Sequence, residues 1–169
     1  MGAQARAAVI AAVVAAVLAV LVTAGVGSAA QPGGSAPSAA PAGGPSDVTD
    51  MPVTGTPCTA AARACVDLDD GLAWLLDRGV VARGPVVVMT GDGHDPTPRG
   101  VFHVQWKAEQ YTSRQYLTQM PFSVFFANGG IAFHQGRQDT YSGGCVKLTH
   151  DDAMAWFDFL QVGDEVQIH

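Results

Sequence analysis

The sequence predicts a mainly β domain, sandwich-like or barrel-like, with one short helix near its C-terminus. Many short apolar runs rich in β-branched and aromatic residues follow one another at close spacing between Ala64 and Ile168. Glycine-rich and polar turns separate them, with Asn128-Gly129 the strongest hairpin signal. One helix-start pattern stands out, Thr149-His150-Asp151-Asp152, in which Asp replaces the usual Glu of a capping box.

In order along the chain, Ala64 to Leu68 and Leu72 to Leu76 read as short strands, and Asp77-Arg78-Gly79 as the turn that follows. Pro85 to Met89 is a β-branched run with the look of a strand buried on both faces. A Gly/Asp/Pro loop spans Gly91 to Pro98, and Gly100 to Trp106 is the next strand. Phe122 to Ala127 and Ile131 to His134 form the two arms of the Asn128-Gly129 hairpin. After the helix start, Ala153 to Leu160 is amphipathic, with Met154, Phe157 and Leu160 three apart. Val162-Gly163-Asp164 ends the helix, and Val166 and Ile168 belong to a final alternating strand. No internal repeat is found.

The chain has 169 residues, a net charge of −6 and 48% apolar residues. Much of the alanine lies in the first 45 residues, so the apolar fraction overstates the core. No Lys/Arg cluster appears, which argues against a nucleic-acid partner, because phosphate binding needs concentrated positive charge. Arg6 and the free amine precede an uncharged apolar run from Ala7 to Val26, then Gly-Ser-Ala-Ala. Residues 1–30 therefore read as a secretory signal peptide cut after Ala30, with an uncleaved membrane anchor through residues 7–26 as the alternative. In both readings the remainder is extracytoplasmic, in a cell wall or periplasmic space, as a secreted or an N-terminally anchored protein. Residues 31–57 carry six prolines among Gly, Ser and Ala and read as a disordered linker. Residues 58–169 are left as one small domain, expected to be monomeric.

Three cysteines in an exported chain leave one unpaired. Cys58 and Cys65, seven apart at the start of the domain, are the expected disulfide, which ties the incoming chain to the first strand. Cys145 is then the free thiol. Strand alternation gives it a partner: Ile131 and Phe133 share one face, Ala132 and His134 the other. Val146 and Leu148 likewise share a core face, while Cys145 and Lys147 point away. His134 and Cys145 thus project into one cleft if the two segments lie side by side. A free thiol is only slightly ionised at neutral pH, and a neighbouring imidazole can take its proton. Gly143 and Gly144 allow close backbone approach, and their amides are candidate oxyanion donors. Phe133, Ser142 and Lys147 are the expected substrate-contacting residues, with Lys147 facing a carboxylate. The other histidines, His94, His103, His150 and His169, show no metal-ligand spacing, and no metal or organic cofactor is expected.

At these residues the chain resembles the L,D-transpeptidases of bacterial cell walls, and more closely their short actinobacterial members. Their signature, a His followed by Ser-His-Gly-Cys, an apolar residue and Arg, is matched by His134 and Ser142-Gly143-Gly144-Cys145-Val146-Lys147. Gly84 to Gly91, Thr97-Pro98-Arg99-Gly100-Val101-Phe102, Met120 to Phe126 and Gly130 to His134 extend the likeness over about Cys65 to Ile168. The resemblance implies a β-sandwich-like catalytic domain with Cys145 as nucleophile and His134 as general base and acid. It implies an acyl-enzyme on a peptidoglycan tetrapeptide stem, release of D-alanine and transfer to a second stem, with carbapenems acylating Cys145. Two positions depart from the pattern. Gly143 replaces His, which loosens the loop and removes a polar group from the cleft. Lys147 replaces Arg, which keeps the charge but loses the bidentate fork.

The rival classes are a non-catalytic or weakly active peptidoglycan-binding module of the same fold, motivated by those two departures, and an L,D-carboxypeptidase with water as acceptor. A sortase-like enzyme is disfavoured by the 11-residue His-to-Cys separation, and a papain-like peptidase by the His-before-Cys order.

Overall fold

The computed structural model describes residues 48–169. The expected signal or anchor segment and most of the expected linker lie outside the described residues. Nine strands and one helix follow a short 3₁₀ turn at Val48–Asp50: β1 Ala64–Asp67, β2 Leu72–Asp77, β3 Val80–Val87, β4 Gly100–His103, β5 Trp106–Ala108, β6 Ser123–Ala127, β7 Ile131–Gln135, β8 Val146–Leu148, α1 His150–Phe159 and β9 Glu165–Ile168. They build two sheets, ordered β3-β2-β1-β9-β4 and β5-β6-β7-β8. Each sheet contains one parallel pair, β1 with β9 and β7 with β8, among otherwise antiparallel neighbours.

The main core takes the alternate residues of both sheets. Ala64, Val66, Ala73 and Leu75 from the first sheet join Val124, Phe126, Phe133, Val146 and Leu148 from the second. Helix α1 lies against β6, β7 and β8. Its N-cap Thr149 accepts a hydrogen bond from the Asp152 amide, which satisfies one orphan donor of the first turn. The helix buries Ala153, Trp156 and the C-cap Leu160, while Met154 is 41% exposed. Of the expected Met154–Phe157–Leu160 stripe, Leu160 is buried and Phe157 packs against the core, but Met154 turns outward and Trp156 takes the central core-facing place.

Two further expectations are corrected. Pro85 to Met89 is not buried on both faces: β3 is the outer strand of its sheet, and Val87 is 67% exposed while Val88 is buried. A β-branched run reports strand propensity and does not say which strand is central. Gly100 to Trp106 is not the one strand expected. The chain instead changes sheets at Val104 and Gln105, whose amides donate to Asp164 and to Phe125 respectively, so that β4 pairs with β9 and β5 with β6.

The domain also begins before the expected boundary at Cys58. Val53 is buried with Cys58, Ala62, Cys65, Trp74 and Leu76, and the carbonyls of Thr49 and Met51 accept from the amides of Ala61 and Ala60. Proline-rich composition hid this, because the bonds use only backbone and the anchor is a single valine. Cys58 and Cys65 are joined by a disulfide inside the same cluster, which fixes the incoming segment to β1.

Candidate active site

The second sheet has a covered face toward the core and an opposite face that opens into a cleft of about 480 Å³. Strands β7 and β8 set the cleft floor. Their parallel register places Phe133 opposite Val146 and His134 opposite Lys147. Period-2 alternation then sends Phe133 and Val146 into the core and His134, Lys147 and the preceding Cys145 to the cleft. Phe133 is fully buried, between the rings of Phe126 and Trp156, so its expected contact with substrate is corrected: it is a core residue, with a burial worth of about 2–3 kcal/mol.

His134 is 5% exposed. Its Nδ1 lies 2.7 Å from the Gln135 carbonyl oxygen. A carbonyl can only accept, so Nδ1 carries the proton and donates, and Nε2 is left as the free acceptor of a neutral ring. Burial lowers the imidazole pKa from its usual 6.5; the Gln135 carbonyl opposes that and the Lys147 charge adds to it. The ring is therefore neutral at neutral pH, the state a base requires.

Cys145 is the free cysteine of the described residues and is partly buried. Burial raises its thiol pKa, while the Ala132 amide and the Lys147 charge pull it down. Its Sγ donates a long contact of 3.7 Å to the Gly130 carbonyl. The two shifts favour a protonated thiol and a neutral imidazole, and both side chains line the same cleft.

The segment before Cys145 is fixed by two side-chain hydroxyls. The Gly144 carbonyl accepts from Thr97 Oγ1 at 2.9 Å, and that hydroxyl accepts from the Gly91 amide at 3.0 Å. Ser142 donates its hydroxyl to the Cys145 carbonyl and its amide to Thr90. Gly144 has φ +96°, and a Cβ there would meet Ile131 Cδ1 at 2.7 Å, so only glycine fits. With the carbonyls fixed this way, the amides of Gly143 and Gly144 donate to no acceptor among the described residues. They are free donors beside the thiol.

The two departures noted in the sequence have structural answers. A Cβ at Gly143 would overlap the ring of Tyr116, which lies against that position. The Tyr116 hydroxyl accepts from Gln115 Nε2 at 3.2 Å. The place of the missing histidine is filled by an aromatic hydroxyl from the loop between β5 and β6. Lys147 is 7% exposed. Its Nζ donates to the Thr140 carbonyl, to Thr140 Oγ1 at 3.0 Å and to the Tyr141 carbonyl at 3.2 Å. An ammonium has three N–H groups, and all three are used. The expectation that Lys147 meets a substrate carboxylate is corrected: it staples the 140–141 turn. Ser142 lines the cleft with its hydroxyl turned inward. Sequence reasoning assigned no role to Thr97, Thr140 or Tyr116. Thr97 sat in a quoted motif and was the one with a signal. The other two depend on where loops fold back, which local pattern does not encode.

Comparison with known proteins bears on the fold and the family. The family model described as YkuD, the L,D-transpeptidase catalytic domain, matches residues 61–168. Among solved structures, an L,D-transpeptidase from Stackebrandtia nassauensis superposes with a TM-score of 0.59 at 29% identity, covering 63% of this chain and 54% of that one. L,D-transpeptidase 1 from Mycobacterium tuberculosis gives 0.55 at 24%, covering 61% and 58%. An Enterococcus faecium L,D-transpeptidase gives 0.57 at 20%, covering 64% and 49%. The last two identities speak for the fold alone. The chain spans about half the length of these solved relatives. No curated protein matches. With the family model covering more than half of the sequence and a mainly β two-sheet fold shared with these structures, the chain belongs to the L,D-transpeptidase catalytic domain family.

Proposed function

We propose that this protein is a cell-wall transpeptidase that works through a Cys145 acyl-enzyme on a peptidoglycan tetrapeptide stem. The observation that carries this reading is the parallel β7–β8 pair, which turns a neutral His134 and the Cys145 thiol to the same open face. As the sulfur attacks the carbonyl before the terminal D-alanine, His134 Nε2 takes the thiol proton. The C–S bond forms, the free amides of Gly143 and Gly144 hold the developing oxyanion, and the C–N bond breaks. The protonated imidazole returns its proton to the leaving D-alanine amine. The amine of a second stem then attacks the thioester, gives a proton to His134 and regenerates the thiol. Removing one oxyanion donor of this kind costs roughly 3 kcal/mol in a transition state.

The binding-module alternative drew on Gly143 and Lys147. Tyr116 and the Thr140–Tyr141 staple keep the cleft polar and its loop fixed at those positions, which favours turnover. The N-terminal segment would deliver the domain outside the cytoplasm. The test is intact mass after incubation with a carbapenem, alongside release of D-alanine from tetrapeptide stems. We expect one adduct on the native protein, none on Cys145→Ala, and D-alanine only from the former. An unmodified native protein that releases no D-alanine would leave the binding-module reading in its place.

A further inference from the structure

A donor stem ends in a carboxylate, and the chain carries a net charge of −6. An anionic substrate therefore needs a local cation at the cleft to offset the general repulsion. Three permanent cations line the cleft among the described residues: Arg114, Arg137 and Lys147. Lys147 has no N–H left over, as its three hydrogen bonds to Thr140 and Tyr141 show. Its stem is also locked, since it runs across Gly136 so closely that a Cβ there would lie 2.6 Å from Lys147 Cδ. Arg137 holds Asp139 in a bidentate pair, with Nε and a terminal nitrogen at 2.9 and 2.7 Å, so its fork is already filled. Arg114 has neither an ion pair nor a hydrogen bond among the described residues. It stands two residues before Tyr116, whose ring rests on Gly143, so the loop that carries it is docked beside the reactive segment.

We infer that Arg114 is the residue that recognises the anionic group of the acyl donor, the role that Lys147 cannot fill. The inference rests on the proposed function and names the specificity determinant of that site. An exposed guanidinium keeps five donors in a planar fork, which suits a carboxylate arriving from solvent. Its position on the loop between β5 and β6 separates two tasks that a single cation after the cysteine would have to share: Lys147 fixes the 140–141 turn, and Arg114 selects the substrate.

The test compares acylation of Cys145 by a carbapenem and by its neutral methyl ester, followed by intact mass, in the full-length protein. The native protein should prefer the acid. In Arg114→Gln the acid-to-ester rate ratio should fall about tenfold, the size of one charge-assisted hydrogen bond at an exposed site, and Arg114→Lys should recover part of it. In Lys147→Met both rates should fall together, because the loop loosens for either reagent. A ratio unchanged in Arg114→Gln would overturn the inference, as would a ratio that falls only in Lys147→Met. No acylation by either form of the reagent would instead remove the functional reading beneath it, and the inference with it.

Discussion

The two parallel strand pairs of this domain share one geometry and are put to opposite uses. In the β1–β9 pair, Cys65 sits opposite Gln167 on the face away from the main core. The cysteine is locked to Cys58. Gln167 is 5% exposed and fully occupied: its Oε1 accepts from the Thr59 amide at 2.9 Å, and its Nε2 donates to Thr59 Oγ1 at 2.8 Å and to Glu165 at 2.7 Å. In the β7–β8 pair the corresponding face carries His134, Lys147 and Cys145. Here the thiol, the imidazole Nε2 and two glycine amides are left without a strong partner, next to a cleft. Polar groups near a core are normally satisfied. The first pair obeys that rule and serves stability. The second leaves a few polar atoms facing the open cleft, and those atoms are the ones the proposed chemistry would use.

Mutations should separate the two pairs by what they damage. The largest effect is expected at the open pair: His134→Ala should slow carbapenem acylation of Cys145 by about 10²–10⁴-fold, the usual contribution of a positioned base, with a thermal midpoint close to that of the native protein. A loss of folding in place of rate, seen by circular dichroism, would place His134 among the structural residues. Next comes the closed pair. Replacing Cys58 and Cys65 together by Ala should cost about 2–3 kcal/mol in denaturant unfolding, at the low end for so short a loop, while the acylation rate of the folded fraction is kept. The smallest effect is at Gln167→Leu, which strands the Thr59 amide and hydroxyl and should cost about 1–2 kcal/mol. A drop in acylation rate for Gln167→Leu would show that the two pairs are not independent and would break the comparison.

The face assignments were legible in the sequence because they need only a period of two. Ile131, Phe133, Val146 and Leu148 alternate cleanly with Ala132, His134, Cys145 and Lys147, and one face of the sheet is buried, so the register admits no slip. The hairpin at Asn128-Gly129 and the Thr149 cap were legible for equally local reasons. The parallel pairing of β7 with β8 was not, since it depends on the path of the ten residues between them. Lys147 was misassigned for the same kind of reason: its charge is visible in sequence, but the Thr140 and Tyr141 oxygens that use it up are brought to it only by the fold. Tyr116 filling the space at Gly143 and Val53 anchoring the Pro-rich segment are likewise long-range events. Phe133 differs, because its alternation with His134 alone places it on the core face.

The central claim is that a neutral, buried His134 draws the proton from a thiol that would otherwise stay protonated. Burial puts the imidazole pKa below 6.5 and the thiol pKa above 9.0. In the proposed mechanism the neutral imidazole is the active form, so the rate must rise with pH through the His134 pKa and be level above it. The direct measurement is the pH dependence of carbapenem acylation of Cys145 in the native protein. The account predicts a rise with its midpoint below 6.5 and a plateau across neutral pH. A rate that climbs only above pH 9, following the thiol alone, would contradict it.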